Sequence, residues 1–344
     1  MTKPTLILDN HFRTKEELFR PETFAALAAL CEVHGGRDAP MPRAEIEALL
    51  PEAVVYVASR PELSAENLGR APHLAATIEV AGAFRDGLDY EACFARGIEV
   101  LSCSPGFRNA VAEMALAMML AGGRGLVAEH EAFRTRAERW LDDRVETDFS
   151  LYGQSVGFIG FGQIARETHR LLAPFEPRVM AYDPYVAEAG PDVTLTDLET
   201  LVATCRVVIV AAVPSEETRG LLSAGLIAKL QHSALVIVIS RAWSTDFPAL
   251  IAAAEAGRIT VATDVFPDEP VGADAPLRQM RNVILSPHRA AAVPGGRHLI
   301  GEMILHDVRA LLDGRPERQL KPADPEMVKG LVSAQRALGG MANT

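Results

Sequence analysis

A chain of 344 residues is longer than one hydrophobic core usually supports, so two domains are expected. With 49% hydrophobic and 23% charged residues, it can fill two cores and shows no compositional sign of disorder. A net charge of −11 argues against nucleic acid and membrane surfaces as partners, because both reward basic patches.

In chain order, short apolar runs alternate with segments of helical period. The runs 5–9, 53–58, 74–82 and 97–102 read as strands, with helical stretches near 15–30, 43–50 and 89–96 between them. The stretch 109–123 has helical apolar spacing, and Gly122-Gly123 would end it; a charged stretch, 125–140, follows. From residue 155 the alternation becomes regular. SVGFIG, RVMAYD, RVVIVAAV, ALVIVIS, RITVATDV and NVILSP are β-branched runs, separated by helices such as 162–172, 223–230 and 245–256. Continuous apolar strands with helices between them imply parallel sheets covered on both faces, a doubly wound α/β architecture. The last 30 residues lose periodicity and read as a partly mobile tail.

The four cysteines, Cys31, Cys93, Cys103 and Cys205, contain no CxxC pair. They read as buried thiols in a reducing compartment, with neither a disulfide framework nor a metal site. The N-terminus carries no signal-peptide pattern, and no apolar run approaches the roughly eighteen residues of a membrane span. A soluble, cytoplasmic protein is expected.

The strand SVGFIG runs into Gly160-Phe161-Gly162-Gln163-Ile164-Ala165 and then a helix. This is a G-x-G-x-x-G/A pattern in its required strand-to-helix setting. Gly160 permits the tight turn, Gly162 admits a pyrophosphate, and the helix N-terminus offers N–H donors. Asp183, at the end of RVMAYD, stands 21 positions after Gly162. A carboxylate there can accept from adenosine ribose hydroxyls and would repel a 2′-phosphate, so the cofactor reads as NAD.

Three polar groups follow later strands: Arg241 after ALVIVIS, Glu269 after RITVATDVFPD, and His288 after NVILSP. Oxidising a 2-hydroxy acid needs a base for the hydroxyl proton while hydride leaves the α-carbon. Histidine suits that role, a carboxylate beside it would favour imidazolium, and an arginine fork can hold a substrate carboxylate.

With these motifs in this order, residues 75–313 resemble the D-2-hydroxyacid dehydrogenase family. The segments that carry the likeness are 109–120, 151–166, 213–222, 240–270 and 283–290. The resemblance implies Arg241, Glu269 and His288 as the catalytic triad, with Asp264 on the nicotinamide carboxamide. It further implies backbone amides of Gln163 and Ile164 on the pyrophosphate, and Val213 and Ser240 lining the cofactor cleft. By the same likeness, an NAD domain at 104–295 is inserted into a flavodoxin-like substrate domain built from 1–103 and 296–344. The active site is expected in the cleft between them, and a helical arm at about 105–150 would hold a homodimer. The substrate, a small 2-hydroxy or 2-keto acid, would meet backbone N–H groups of a loop aligned with Val80–Phe84.

The sequence departs from the family pattern near that chemistry. Ala242 and bulky Trp243 follow the arginine where glycine is usual, the substrate loop carries Phe84 and Arg85, and Arg289 follows the histidine. Two readings of Arg85 stand: it contacts the distal end of the substrate, with Ala81, Gly82, Ala83 and Phe84 around it, or it pairs with Asp86 or Asp89 and faces solvent. A formate dehydrogenase is disfavoured because Ser286 precedes Pro287-His288. Other NAD enzymes of similar fold lack the arginine–glutamate–histidine order. The alternative from another class is a non-catalytic NAD(H)-sensing regulator of the same fold, which turnover of any 2-keto acid would exclude.

Overall fold

The computed structural model describes residues 2–142, 144–326, 328 and 329. The chain divides into two compact units, one formed by Met1–Arg108 with Val293–Thr344 and the other by Asn109–Ala292. The second is therefore an insertion within the first.

The first unit contains β1 (Thr5–Asp9), β2 (Glu32–Gly35), β3 (Ala53–Ala58), β4 (Ala76–Glu79) and β5 (Glu99–Ser102). These pair in parallel in the order 2-1-3-4-5, the flavodoxin-like order. Period-two alternation sends the side chains of β1 to opposite faces. Leu6 and Leu8 pack with Val55, Val57, Ile300 and Ile304, while Ile7 packs with Tyr56, Leu63 and Leu68. The expected helix over 15–30 is two helices, Lys15–Leu18 and Pro21–Leu30. Proline at the second helix's first position disfavours helical geometry in the residue before it, so the chain breaks there. The strand β2, sequence EVHG, escapes a search for apolar runs because its burial is only partial.

The second unit contains β6 (Ser155–Ile159), β7 (Arg178–Tyr182), β8 (Val193–Leu195), β9 (Val207–Val210), β10 (Ala234–Val238), β11 (Ile259–Thr263) and β12 (Val283–Leu285). All pair in parallel, in the order 12-11-10-9-6-7-8. Counted from β6, this is the 3-2-1-4-5-6 Rossmann order with one further strand. The residues of β6, β9, β10 and β11 are buried throughout, as helices on both faces require. The helix Arg108–Gly123 ends on the expected glycine pair, and the Cα of Gly122 faces Leu235 so closely that a Cβ would lie 2.7 Å from that side chain.

Lys321–Pro322, β13, returns to the first unit's sheet as an antiparallel edge on β5. That pairing lies within the segment expected to be a loose tail; residues 330–344 of the segment fall outside the described residues. All four cysteines are free and buried. No single helix among the described residues is long and apolar enough to cross a membrane.

Candidate active site

The functional side chains of the second unit gather at the carboxyl ends of its strands, where doubly wound sheets bind ligands. Gly160 follows β6 with φ +87, and a Cβ there would come within 2.6 Å of the Ala212 backbone, so only glycine fits this turn. Around Gly162 nothing would meet a Cβ within 4 Å, which leaves open space in front of the helix Gln163–Leu172. The helices Leu198–Thr204, Ala224–Lys229 and Phe247–Glu255 start at Asp197, Ser223 and Asp246, whose side chains cap them. The helix at Gln163 starts at Gly162 with no side-chain cap. Its first N–H groups, those of Gln163 and Ile164 included, are thus available to an anion. An open cradle and an uncapped helix end fit a dinucleotide pyrophosphate.

Asp183 lies just beyond β7 and grips the glycine turn: Oδ2 accepts from the Phe161 N–H at 2.8 Å and Oδ1 from the Tyr185 N–H at 3.0 Å. A carboxylate has about four acceptor sites, so it retains capacity for ribose hydroxyls. Ser240 is buried and donates to the Ala212 carbonyl at 2.8 Å. Val213 is exposed, and its carbonyl accepts from Thr218 Oγ1 at 2.7 Å.

Arg241, Glu269 and His288 follow β10, β11 and β12, three adjacent parallel strands. His288 Nδ1 lies 2.6 Å from Glu269 Oε2, while Glu269 Oε1 accepts from the Phe266 N–H at 2.9 Å. Burial pushes the Glu269 carboxyl up, but the hydrogen bonds from His288 and Phe266, with the charges of His288 and Arg241, outweigh it and hold the pKa below 4.5. Glu269 is therefore an anion that accepts the Nδ1 proton, which leaves Nε2 as the reactive nitrogen. Arg241 Nη1 donates to the Ser240 carbonyl at 2.7 Å. Desolvation lowers its pKa, and the carboxylates of Glu269 and Asp264 act against that.

His288 has φ +48, a left-handed conformation that costs a side-chain-bearing residue about 1–3 kcal/mol. Asp264 holds the backbone there. Buried at 1% exposure, it accepts from the Arg289 N–H at 2.9 Å, the Ala290 N–H at 3.0 Å and the Ser286 hydroxyl. Both its oxygens are engaged with the loop that presents His288, a role that the sequence reading did not assign to it.

Trp243 turns to the loop after β9. Its Nε1 donates to the Ser215 carbonyl at 2.8 Å, and the Arg219 guanidinium stacks 3.6 Å from the ring centroid.

In the first unit, Ala81, Gly82, Ala83, Phe84 and Arg85 follow β4. Phe84 is buried, its ring against Tyr90, and Tyr90 Oη donates to the Arg85 carbonyl at 2.6 Å. Beneath them lies Glu79, which the sequence reading passed over. Its Oε2 accepts from the Ala81 N–H at 2.8 Å and the Gly82 N–H at 2.7 Å, and Oε1 accepts from the Ser102 hydroxyl. Burial raises its pKa to about 7 against the pull of these donors. A lone acid in the apolar run LAATIEVAG was the signal available in the sequence.

Residues 116–290 match the family model for the NAD-binding domain of D-isomer specific 2-hydroxyacid dehydrogenases. A phosphoglycerate oxidoreductase from Rhizobium etli shares 30% identity at a TM-score of 0.83, covering 94% of this chain and 99% of that one. The D-3-phosphoglycerate dehydrogenase of Archaeoglobus fulgidus is 30% identical over 85% of this chain and 56% of its own length. A glyoxylate reductase of Thermofilum pendens is 28% identical over 82% of this chain and 85% of its own length. The chain belongs to the D-isomer specific 2-hydroxyacid dehydrogenase family, and its cofactor is NAD. It spans 55–56% of the length of the first D-3-phosphoglycerate dehydrogenases it matches.

Proposed function

We propose that the protein is an NAD-dependent dehydrogenase acting at C2 of a small D-2-hydroxy or 2-keto acid. The observation that carries this reading is the 2.6 Å His288–Glu269 pair, set beside Arg241 on a unit with an open dinucleotide turn. NAD, when bound, supplies the hydride acceptor or donor. In reduction His288 gives the Nε2 proton to the carbonyl oxygen; in oxidation neutral His288 takes the hydroxyl proton at the same atom. Ionised Glu269 orients the ring through Nδ1 and stabilises imidazolium, and the Arg241 fork holds the substrate carboxylate. Asp264 sets the loop on which His288 stands.

The same reading assigns a homodimer interface to the region 120–141. There Leu126, Phe133, Trp140 and Leu141 are all more than half exposed, an apolar cluster of the kind that marks a protein contact.

The test is turnover of a panel of 2-keto acids with NADH. His288→Ala should lose roughly 10²–10⁴-fold in kcat while NADH binding is retained. Near-normal rates in this variant would refute the mechanism, and no turnover by the parent on any acid would favour a sensor.

A further inference from the structure

The carboxyl end of β6, where the glycine turn opens, is flanked by β7 on one side and β9 on the other. The loops that follow these two strands meet. Tyr185, just beyond β7, donates its hydroxyl to the Glu217 carboxylate in the loop after β9. Their bond links the two banks of the dinucleotide turn.

Both ends of that bond are anchored. The Tyr185 N–H donates to Asp183 Oδ1 at 3.0 Å, and Asp183 Oδ2 accepts from the Phe161 N–H of the turn itself at 2.8 Å. On the other bank, Thr218 Oγ1 accepts from the Ser215 N–H at 2.8 Å and donates to the Val213 carbonyl at 2.7 Å. Thr218 therefore closes the loop on which Glu217 stands, and the Trp243 indole holds that loop through the Ser215 carbonyl. An exposed glutamate ordinarily samples many rotamers. Here a charge-assisted hydrogen bond from a phenol favours one of them.

The charges on this rim are unbalanced. Glu216 is paired with Arg219 at 2.9 Å. Among the described residues, Asp183 and Glu217 have amide and phenol partners but no cation. The sequence from Asp183 to Cys205 contains no lysine or arginine, while it carries Glu188 and Asp192. The Tyr185 hydroxyl registers both carboxylates. Its pKa is raised first by the hydrogen bond to Glu217 and by that residue's charge, then by desolvation and the charge of Asp183. Asp183 and Glu217 thus act on the same small volume, at the edge where Asp183 would meet the adenosine ribose. A 2′-phosphate placed there would bring about −1.5 to −2 charges towards two carboxylates instead of one.

We propose that Glu217, held in place by Tyr185, is a second determinant of dinucleotide choice beside Asp183 and rejects the 2′-phosphate of NADP by like-charge repulsion. NAD lacks that phosphate and offers Glu217 nothing to repel.

The test reads binding and so stands apart from turnover. The protein is titrated with NADH and with NADPH, followed by their fluorescence, in the parent and in an Asp183→Ser background that itself favours NADPH. Glu217→Gln keeps an acceptor for Tyr185 and removes the charge. At low ionic strength it should tighten NADPH about three- to tenfold, the size of an exposed like-charge contact, with a smaller change for NADH. Raising the salt to about 1 M, where the Debye length is about 3 Å, should remove most of that gain. Tyr185→Phe leaves the charge but frees the glutamate, and should give part of the same effect. In Asp183→Ser, adding Glu217→Gln should erode the remaining preference for NADH further. An NADPH affinity that Glu217→Gln leaves unchanged in both backgrounds would overturn the proposal, and so would a gain that salt does not reduce.

Discussion

Glu79→Gln isolates the buried carboxylate beneath the loop after β4. Glutamine keeps an oxygen to accept from Ala81 and Gly82, and its amide can donate to Ser102, so the packing is preserved while the titration is removed. Burial raises the Glu79 pKa from 4.5 to about 7. The folded state therefore binds a proton more tightly than the unfolded chain. A raised acid costs stability as pH rises from 4.5 towards 7, and the cost levels off above that. A change from 4.5 to about 7 corresponds to about 3 kcal/mol in full, of which about 2 kcal/mol falls between pH 5.5 and 8.5. The parent should lose that much stability relative to Glu79→Gln over this interval. Urea denaturation of both proteins at the two pH values, followed by a probe confined to the first unit, measures the difference. A gap between parent and variant that is the same at pH 5.5 and 8.5 would show that Glu79 does not titrate there.

Glu269→Gln removes the anion that accepts the His288 proton, so the alkaline limb of the reduction profile should move to lower pH, with a smaller loss of kcat than in His288→Ala; an unmoved limb in the pH–rate profile would contradict the pairing. Asp183→Ser should weaken NAD binding and narrow the preference over NADP, read by titration with both cofactors. It should also loosen the glycine turn, because the Phe161 N–H loses its acceptor. Replacing Leu126 and Phe133 by glutamate should convert a dimer to a monomer by light scattering if the exposed apolar cluster is the subunit interface. Arg85→Ala should raise the KM for a dianionic keto acid more than for pyruvate; an equal change for both would return Arg85 to the surface.

The central strands of both sheets were legible because a strand covered on both faces must be apolar along its whole length. The runs at 5–9 and 53–58 match β1 and β3 residue for residue, and SVGFIG contains β6. Edge strands lack that requirement. β2 is only partly buried, β8 buries Val193 alone, and β13 is two residues long, so their hydrogen bonds leave no mark on hydropathy. Strand ends were overread for a related reason. Ala211 and Ala212 are buried but lie beyond β9, because burial in the floor of the glycine turn selects small apolar residues without requiring a ladder.

At the site, the residues legible in the sequence were those whose chemistry is explicit: the glycine turn, the acid after β7, and the arginine, glutamate and histidine at three strand ends. Hidden were the groups that act through other residues. Trp243, a departure from the family pattern, uses its indole and the Arg219 stack to hold the loop after β9. Phe84 reads as a loop residue facing substrate, but its ring is core. Asp264, which the resemblance puts on the nicotinamide carboxamide, also accepts from the amides that fix His288 at a positive φ. Each of these roles depends on which backbone group comes within 3 Å of a side chain, and spacing along the chain does not encode that. The same holds for Glu79, whose carboxylate turns inward and accepts from the amides of its own loop.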